Sequence, residues 1–180
     1  MRDRRPARAS GDQGAALVEF ALVFPVLAML LLGMISGAVA WNTNLALSQG
    51  ARVAARQAVT IPLPATTTEA TMAPWLDGIA DRAVAASEGA MGSGVDGRAV
   101  CVAFVYPAGA AADQTFSRSL GPTGTRTSST LPCFPDGQDD DARRVQVVLE
   151  RKGVLDIGIR RQVLSLRRQV VYRYEAYGGI

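Results

Sequence analysis

Between Phe20 and Trp41 the chain carries no charged residue. About 20 helical residues at ~1.5 Å each cross a hydrocarbon core of ~30 Å, so a run of this length reads as a membrane-spanning helix. The segment before it is polar and basic, with Arg2, Arg4, Arg5 and Arg8 against Asp3 and Asp12, whereas the nearest basic residues after it are Arg52 and Arg56. Basic residues are retained on the cytoplasmic side, so the asymmetry predicts a single-pass protein with its N-terminus in the cytoplasm and its C-terminal part outside. Trp41 stands at the far end, the place of an interfacial aromatic.

The same residues admit a second reading. A basic stretch, an apolar run and Ala38-Val39-Ala40 make a signal-peptidase pattern, which would free a secreted protein starting near Trp41. Against it, the run exceeds the ~7–15 residues of an ordinary signal-peptide core, and Glu19 stands at its head.

Glu19 needs an explanation, because a carboxylate at a membrane segment is costly unless it sits among headgroups or meets a partner charge. Gly14 lies five residues before it. Cleavage after Gly14 would create an α-amine at Ala15 that, on one subunit, could pair with Glu19 of the next in a medium of low dielectric constant. The stretch Gly14-Ala15-Ala16-Leu17-Val18-Glu19-Phe20 resembles the processing site of type IV pilin-like proteins. The wider segment resembles the TadE family of the tight-adherence (Flp) pilus systems. Gly14, Val18, Glu19, Phe20, Ala21, Leu22 and Pro25 fall where that family has its opening motif, and Gly50-Ala51-Arg52-Val53-Ala54-Ala55-Arg56 resembles a stretch that follows its membrane helix. The resemblance covers about residues 10–60.

It implies a minor pilin or membrane-anchored assembly component in the cytoplasmic (inner) membrane, with passage into a surface pilus as one fate. The implied partners are a prepilin peptidase acting at Gly14, Ala15, Glu19 and Phe20, other pilus subunits meeting the membrane helix, and the lipid bilayer. A secreted or anchored binding module without a pilus role is the alternative.

The remaining chemistry is sparse. Histidine is absent, which removes the commonest general base and zinc ligand. No phosphate loop, nucleophile elbow or catalytic carboxylate pair is present in the sequence, so no enzyme activity, cofactor or metal is expected. The net charge of +3 is too small and too dispersed for a nucleic-acid partner. The run Asp136-Gly-Gln-Asp139-Asp140-Asp141 lacks the ordered spacing of a calcium loop and reads as a solvated turn. Two cysteines, Cys101 and Cys133, in an exported chain suggest one disulfide; two free thiols are the alternative.

The expected organisation is a leader over 1–14, a helix over 15–60 that continues beyond the membrane, and an extracytoplasmic domain over 61–180. Leu45, Gln49, Arg52, Arg56 and Val59 follow helical spacing among many alanines, which are the best helix formers. A second helix is expected from Pro74 to about Ala90. Strands are expected at Arg98–Tyr106, which is apolar on both faces and so central, at Arg144–Glu150, and at Gln162–Glu175, where Arg168 breaks the alternation and suggests a bulge or a charged end. Pro107 to Ala142 reads as a long loop with a short strand around Phe116. The fold class is α+β: a long N-terminal helix, transmembrane in its first part, then a small domain with an antiparallel sheet, as in pilin-like folds.

Overall fold

In the computed structural model the apolar run belongs to a single helix, α1 (Gly11–Thr60), which continues without a break through Pro25 and past Trp41. The structure describes residues 11–107, 115–138 and 142–175, and for residues 11–13 the backbone alone. The four leader arginines and Asp139 to Asp141 lie outside the described residues. After α1 come α2 (Glu69–Ala85), β1 (Ala99–Val105), β2 (Phe116–Leu120), β3 (Arg126–Ser129), β4 (Arg144–Asp156) and β5 (Arg161–Arg173). The five strands form one antiparallel sheet in the order β3-β2-β1-β4-β5. The class is α+β, and β1 is the central strand, as its two apolar faces predict.

The helices cover one face of this sheet, α1 above β4 and β5 and α2 above β1 and β2. Val100, Val102 and Phe104 of β1 and Val145, Val147 and Leu149 of β4 supply the sheet side of the core. Trp75, Phe104, Tyr106 and Tyr174 meet edge to face at one end, and Tyr174 Oη donates to the carbonyl of Ile61 at 3.2 Å where α1 ends.

The row Leu45, Gln49, Arg52, Arg56 is not the packing face. Leu47, Ala51, Ala54, Ala55 and Ala58 are fully buried, while Leu45 is exposed and Arg52 and Arg56 point outward. Alanines bury little area each, but they let the helix axis approach closely. Gly50 sets the limit. A Cβ there would lie 2.7 Å from the Ala83 carbonyl oxygen of α2 and 3.1 Å from Leu149 Cδ1 of β4.

α2 begins five residues before the expected start. Thr68 caps it: its Oγ1 accepts from the Thr71 amide, and the Thr71 hydroxyl accepts from the Thr68 amide, a reciprocal box with Thr at the third position in place of Glu or Gln. On its outer side Asp77 accepts from Arg118 Nη2 at 2.9 Å and pairs with Arg126 at 2.9 Å, tying α2 to β2 and β3. Burial raises the Asp77 pKa, but the hydrogen bonds and positive charge of the two guanidiniums outweigh it and hold the carboxyl below its ordinary value of 3.8.

The opposite face of the sheet is covered by the loop after β3. Cys101 and Cys133 are bonded, with 5.8 Å between their Cα atoms. A link closing a loop of about 33 residues contributes at most ~3.7 kcal/mol in the chain-entropy treatment. Gln146, almost fully buried on β4, clamps the same loop. Its Oε1 accepts from the Cys133 amide at 3.0 Å, and its Nε2 donates to the Phe134 carbonyl and to Asp136 Oδ2, each at 3.0 Å. Asp136 also pairs with Arg144 at 3.1 Å, and both side chains are over nine-tenths buried. The expected solvated turn is therefore, at Asp136, a buried ion pair.

Strand β5 has no bulge. Its register with β4 is unbroken from Arg144↔Arg173 to Asp156↔Arg161, and Arg168 lies opposite Leu149 as an ordinary ladder residue. β4 outruns its expected end at Glu150 by six residues, because it pairs with β5, which starts at Arg161 beside the expected Gln162, as a two-stranded ribbon past the point where β1 stops opposite Glu150.

Two predictions follow from this packing. Gly50→Ala should lower the unfolding free energy of the detergent-solubilised chain by about 1–3 kcal/mol, since a backbone carbonyl cannot move aside. The exposed Val53→Ala should change it by less than about 0.5 kcal/mol. Urea unfolding checks both, and equal effects would refute the close contact. For Asp77 the folded pKa is depressed, so its contribution is fully present above the unfolded value near 3.8 and is lost as pH falls through the depressed folded value. Asp77→Asn should therefore cost roughly 1 kcal/mol at neutral pH, and the gap to wild type should narrow in urea titrations carried below pH ~3.8.

Candidate membrane anchor and processing segment

From Gly14 to Leu32, α1 touches almost nothing. Leu17, Val18, Phe20, Leu22, Val23, Phe24, Val26, Leu27, Leu30 and Leu31 are each at least half exposed, on all sides of the helix. Hydrophobic side chains distributed around a whole helix do not belong in water; they require lipid or other apolar helices around them. By length and composition α1 can cross a membrane, with a mean hydropathy of 2.5 in its most apolar window.

The residues singled out at the head of this segment stand on consecutive helical turns. Gly14, Ala15, Glu19 and Phe20 are all exposed. A Cβ at Gly14 would meet nothing within 4 Å, so its lack of a side chain is not explained by packing inside the chain. Phe20 stacks on Phe24, one turn later, at 5.4 Å between ring centroids. Glu19 has no partner among the described residues. Both Gly14 and Glu19 lie clear of the folded domain among the described residues.

The second stretch compared with the TadE family has a structural meaning that spacing alone did not disclose. Gly50, Ala51, Ala54 and Ala55 are the close-packed row beneath α2 and β4, while Arg52, Val53 and Arg56 face outward. The alternation of small and basic residues thus separates a buried face from a solvated one. No group of three or more metal-ligating side chains is assembled among the described residues. The cysteines, the only other reactive groups read from the sequence, are consumed in the disulfide.

No curated protein and no solved structure matches the chain. A family model described as TadE-like protein matches residues 14–56. The match opens on Gly14 and ends on Arg56, taking in the exposed anchor and the small-residue row that seats it in the domain. Over residues 14–56 this chain is similar to the TadE-like family.

Proposed function

We propose that the chain is a membrane-anchored component of a tight-adherence (Flp, type IV-like) pilus or related secretion machine, as a minor pilin or an assembly factor. The observation that carries this reading is the TadE-like match over a helix whose first part is apolar, exposed all round and free of its own domain. Such a helix is suited to packing with lipid and with the helices of neighbouring subunits. The four leader arginines, Arg2, Arg4, Arg5 and Arg8, favour the cytoplasmic side for the N-terminus. The disulfide accords with a domain held in an oxidising compartment outside the inner membrane.

In this reading a prepilin peptidase cuts after Gly14. The glycine lets the enzyme approach the scissile backbone, and the cut leaves Ala15 as a cationic terminus one helical turn from Glu19. Each charge then has a counter-charge on an adjacent subunit, which fixes the stagger between helices. The domain contributes no chemistry to this role; it presents a surface and keeps the helix upright.

The N-terminus of the protein recovered from membranes tests the proposal. The mature chain should begin at Ala15 when the peptidase is active, and Gly14→Leu should leave the leader in place. Recovery of the intact leader beside a demonstrably active peptidase would sink the processing step, and a start at Trp41 would support the secreted module instead.

A further inference from the structure

The β4–β5 ribbon runs down the side of α1. Leu149 lies against Gly50, and Ile157, at the tip, lies 3.7 Å from a Cβ built at Gly33. Eight strand residues at ~3.3 Å cover ~26 Å, and 17 helical residues at ~1.5 Å cover the same ~26 Å, so ribbon and helix lie side by side. The tip is fastened: Ser36 Oγ donates to the Asp156 carbonyl at 2.7 Å, and Leu32 Cδ1 is 3.2 Å from a Cβ built at Gly158. Gly158, at φ +87°, opens a tight turn in which the Ile157 amide donates to the Arg160 carbonyl at 3.2 Å. The turn therefore reaches well into the uncharged run that ends at Trp41.

This placement bears on where the membrane surface lies. If the hydrocarbon ended at Trp41, about eight residues or ~12 Å above Gly33, the turn with Asp156, Arg160 and Arg161 would be submerged in it. If it ends at the turn, Gly14 to Leu32 remains, about 19 residues or ~28 Å, which matches a hydrocarbon core of ~30 Å and leaves Glu19 as the one charge within it, where the proposed counter-charge at Ala15 of a neighbouring subunit would meet it. The side chains at the tip suit that second position. Ile159 is 74% exposed, and Ile157 borders an open apolar groove with Val26, Met29, Leu30 and Met34 of α1. Arg160 and Arg161 beside them are exposed and pair with no carboxylate among the described residues. Two isoleucines with two free guanidiniums in one turn form a small interfacial anchor: apolar groups enter the acyl boundary while the cations meet lipid phosphates.

We propose that the β4–β5 turn, Ile157 to Arg161, binds the outer leaflet of the membrane that α1 crosses, with anionic phospholipid headgroups as its ligand. The contact sets the depth of α1 at Leu32 to Ser36, leaves Trp41 above the headgroups, and puts Glu19 about 13 residues, or ~20 Å, beneath the turn. The proposal rests on the reading that α1 spans a membrane.

Depth-dependent fluorescence quenching tests it on the full chain in phosphatidylcholine–phosphatidylglycerol vesicles. The native cysteines are bonded, so a single introduced thiol can carry an environment-sensitive dye. The sites are Ile159→Cys at the turn, Leu27→Cys within the span, and Leu131→Cys, exposed on the loop after β3. Spin-labelled lipids should quench Leu27 best from the deep position and Ile159 best from the shallow one, and should leave Leu131 unchanged. Adding Arg160→Glu and Arg161→Glu should reduce the shallow quenching at Ile159 without altering Leu27. Quenching of Leu27 with none at Ile159 would overturn the turn's lipid contact while leaving the span intact. Deep rather than shallow quenching at Ile159 would overturn the depth assignment. Absence of quenching at Leu27 would remove the span and the proposal together. Disulfide-linked dimers through unlabelled Ile159→Cys, with no lipid quenching, would assign the turn to a second copy of the chain instead.

Discussion

The contact between Gly50 and the Ala83 carbonyl sets how this chain is built. A helix that buries leucines stands off from its neighbours and can be repacked; one that buries glycine and alanine is held at backbone distance, where a single methyl group has no room. Because α1 meets both α2 and β4 at this point, the helix cannot rotate or slide against the sheet without breaking both contacts. The domain is thereby fixed to the upper part of α1, and whatever acts on the lower part acts on the domain through a stiff rod.

The same constraint accounts for the division of labour along α1. Its C-terminal part is core, with Leu47, Ala51, Ala54 and Ala58 turned inward at helical spacing. Its middle is a track of small residues, Gly33, Ser36, Gly37 and Ala40, each partly covered where the ribbon passes. Its first part, from Gly14 to about Val23, has no partner in the domain among the described residues. One element therefore serves three environments, and the composition of each portion follows the surface it meets: alanine beneath a sheet, small residues beside a ribbon, large aliphatics toward lipid or other helices.

Much of this was legible in the sequence where the signal is local. The charge-free run, the helix continuing past Trp41, the apolar β1 and the alternation of β4 and β5 all depend on periodicity, and the structure has each of them. The packing face of α1 was not legible, because Leu45 and Val59 mark a more apolar stripe than the alanines that are in fact buried; alanine hides its burial in a hydropathy pattern. The start of α2 was obscured by a threonine run that reads as linker until Thr68 and Thr71 are seen to cap each other. The ribbon beyond Glu150 was missed because Arg151, Lys152 and Gly153 break the alternation, and what holds it straight is the distant α1. Asp136 looked solvated because its partners, Arg144 and Gln146, lie on a strand that only the fold brings near. The family resemblance of the anchor segment, by contrast, was readable because it lies in local chain spacing, and the family match begins on Gly14.

The central claim is that the apolar segment and the domain share one uninterrupted helix. Spin labels at Leu30 and Arg56, both on exposed positions of α1, measure this in detergent-solubilised full-length protein, where the bonded cysteines take up no label. A continuous helix predicts a single narrow distance near 39 Å between the two backbone positions, 26 residues at ~1.5 Å each. A broad distribution, or one centred well below that value, would mean that α1 bends or melts between the apolar segment and the domain, and would contradict the account.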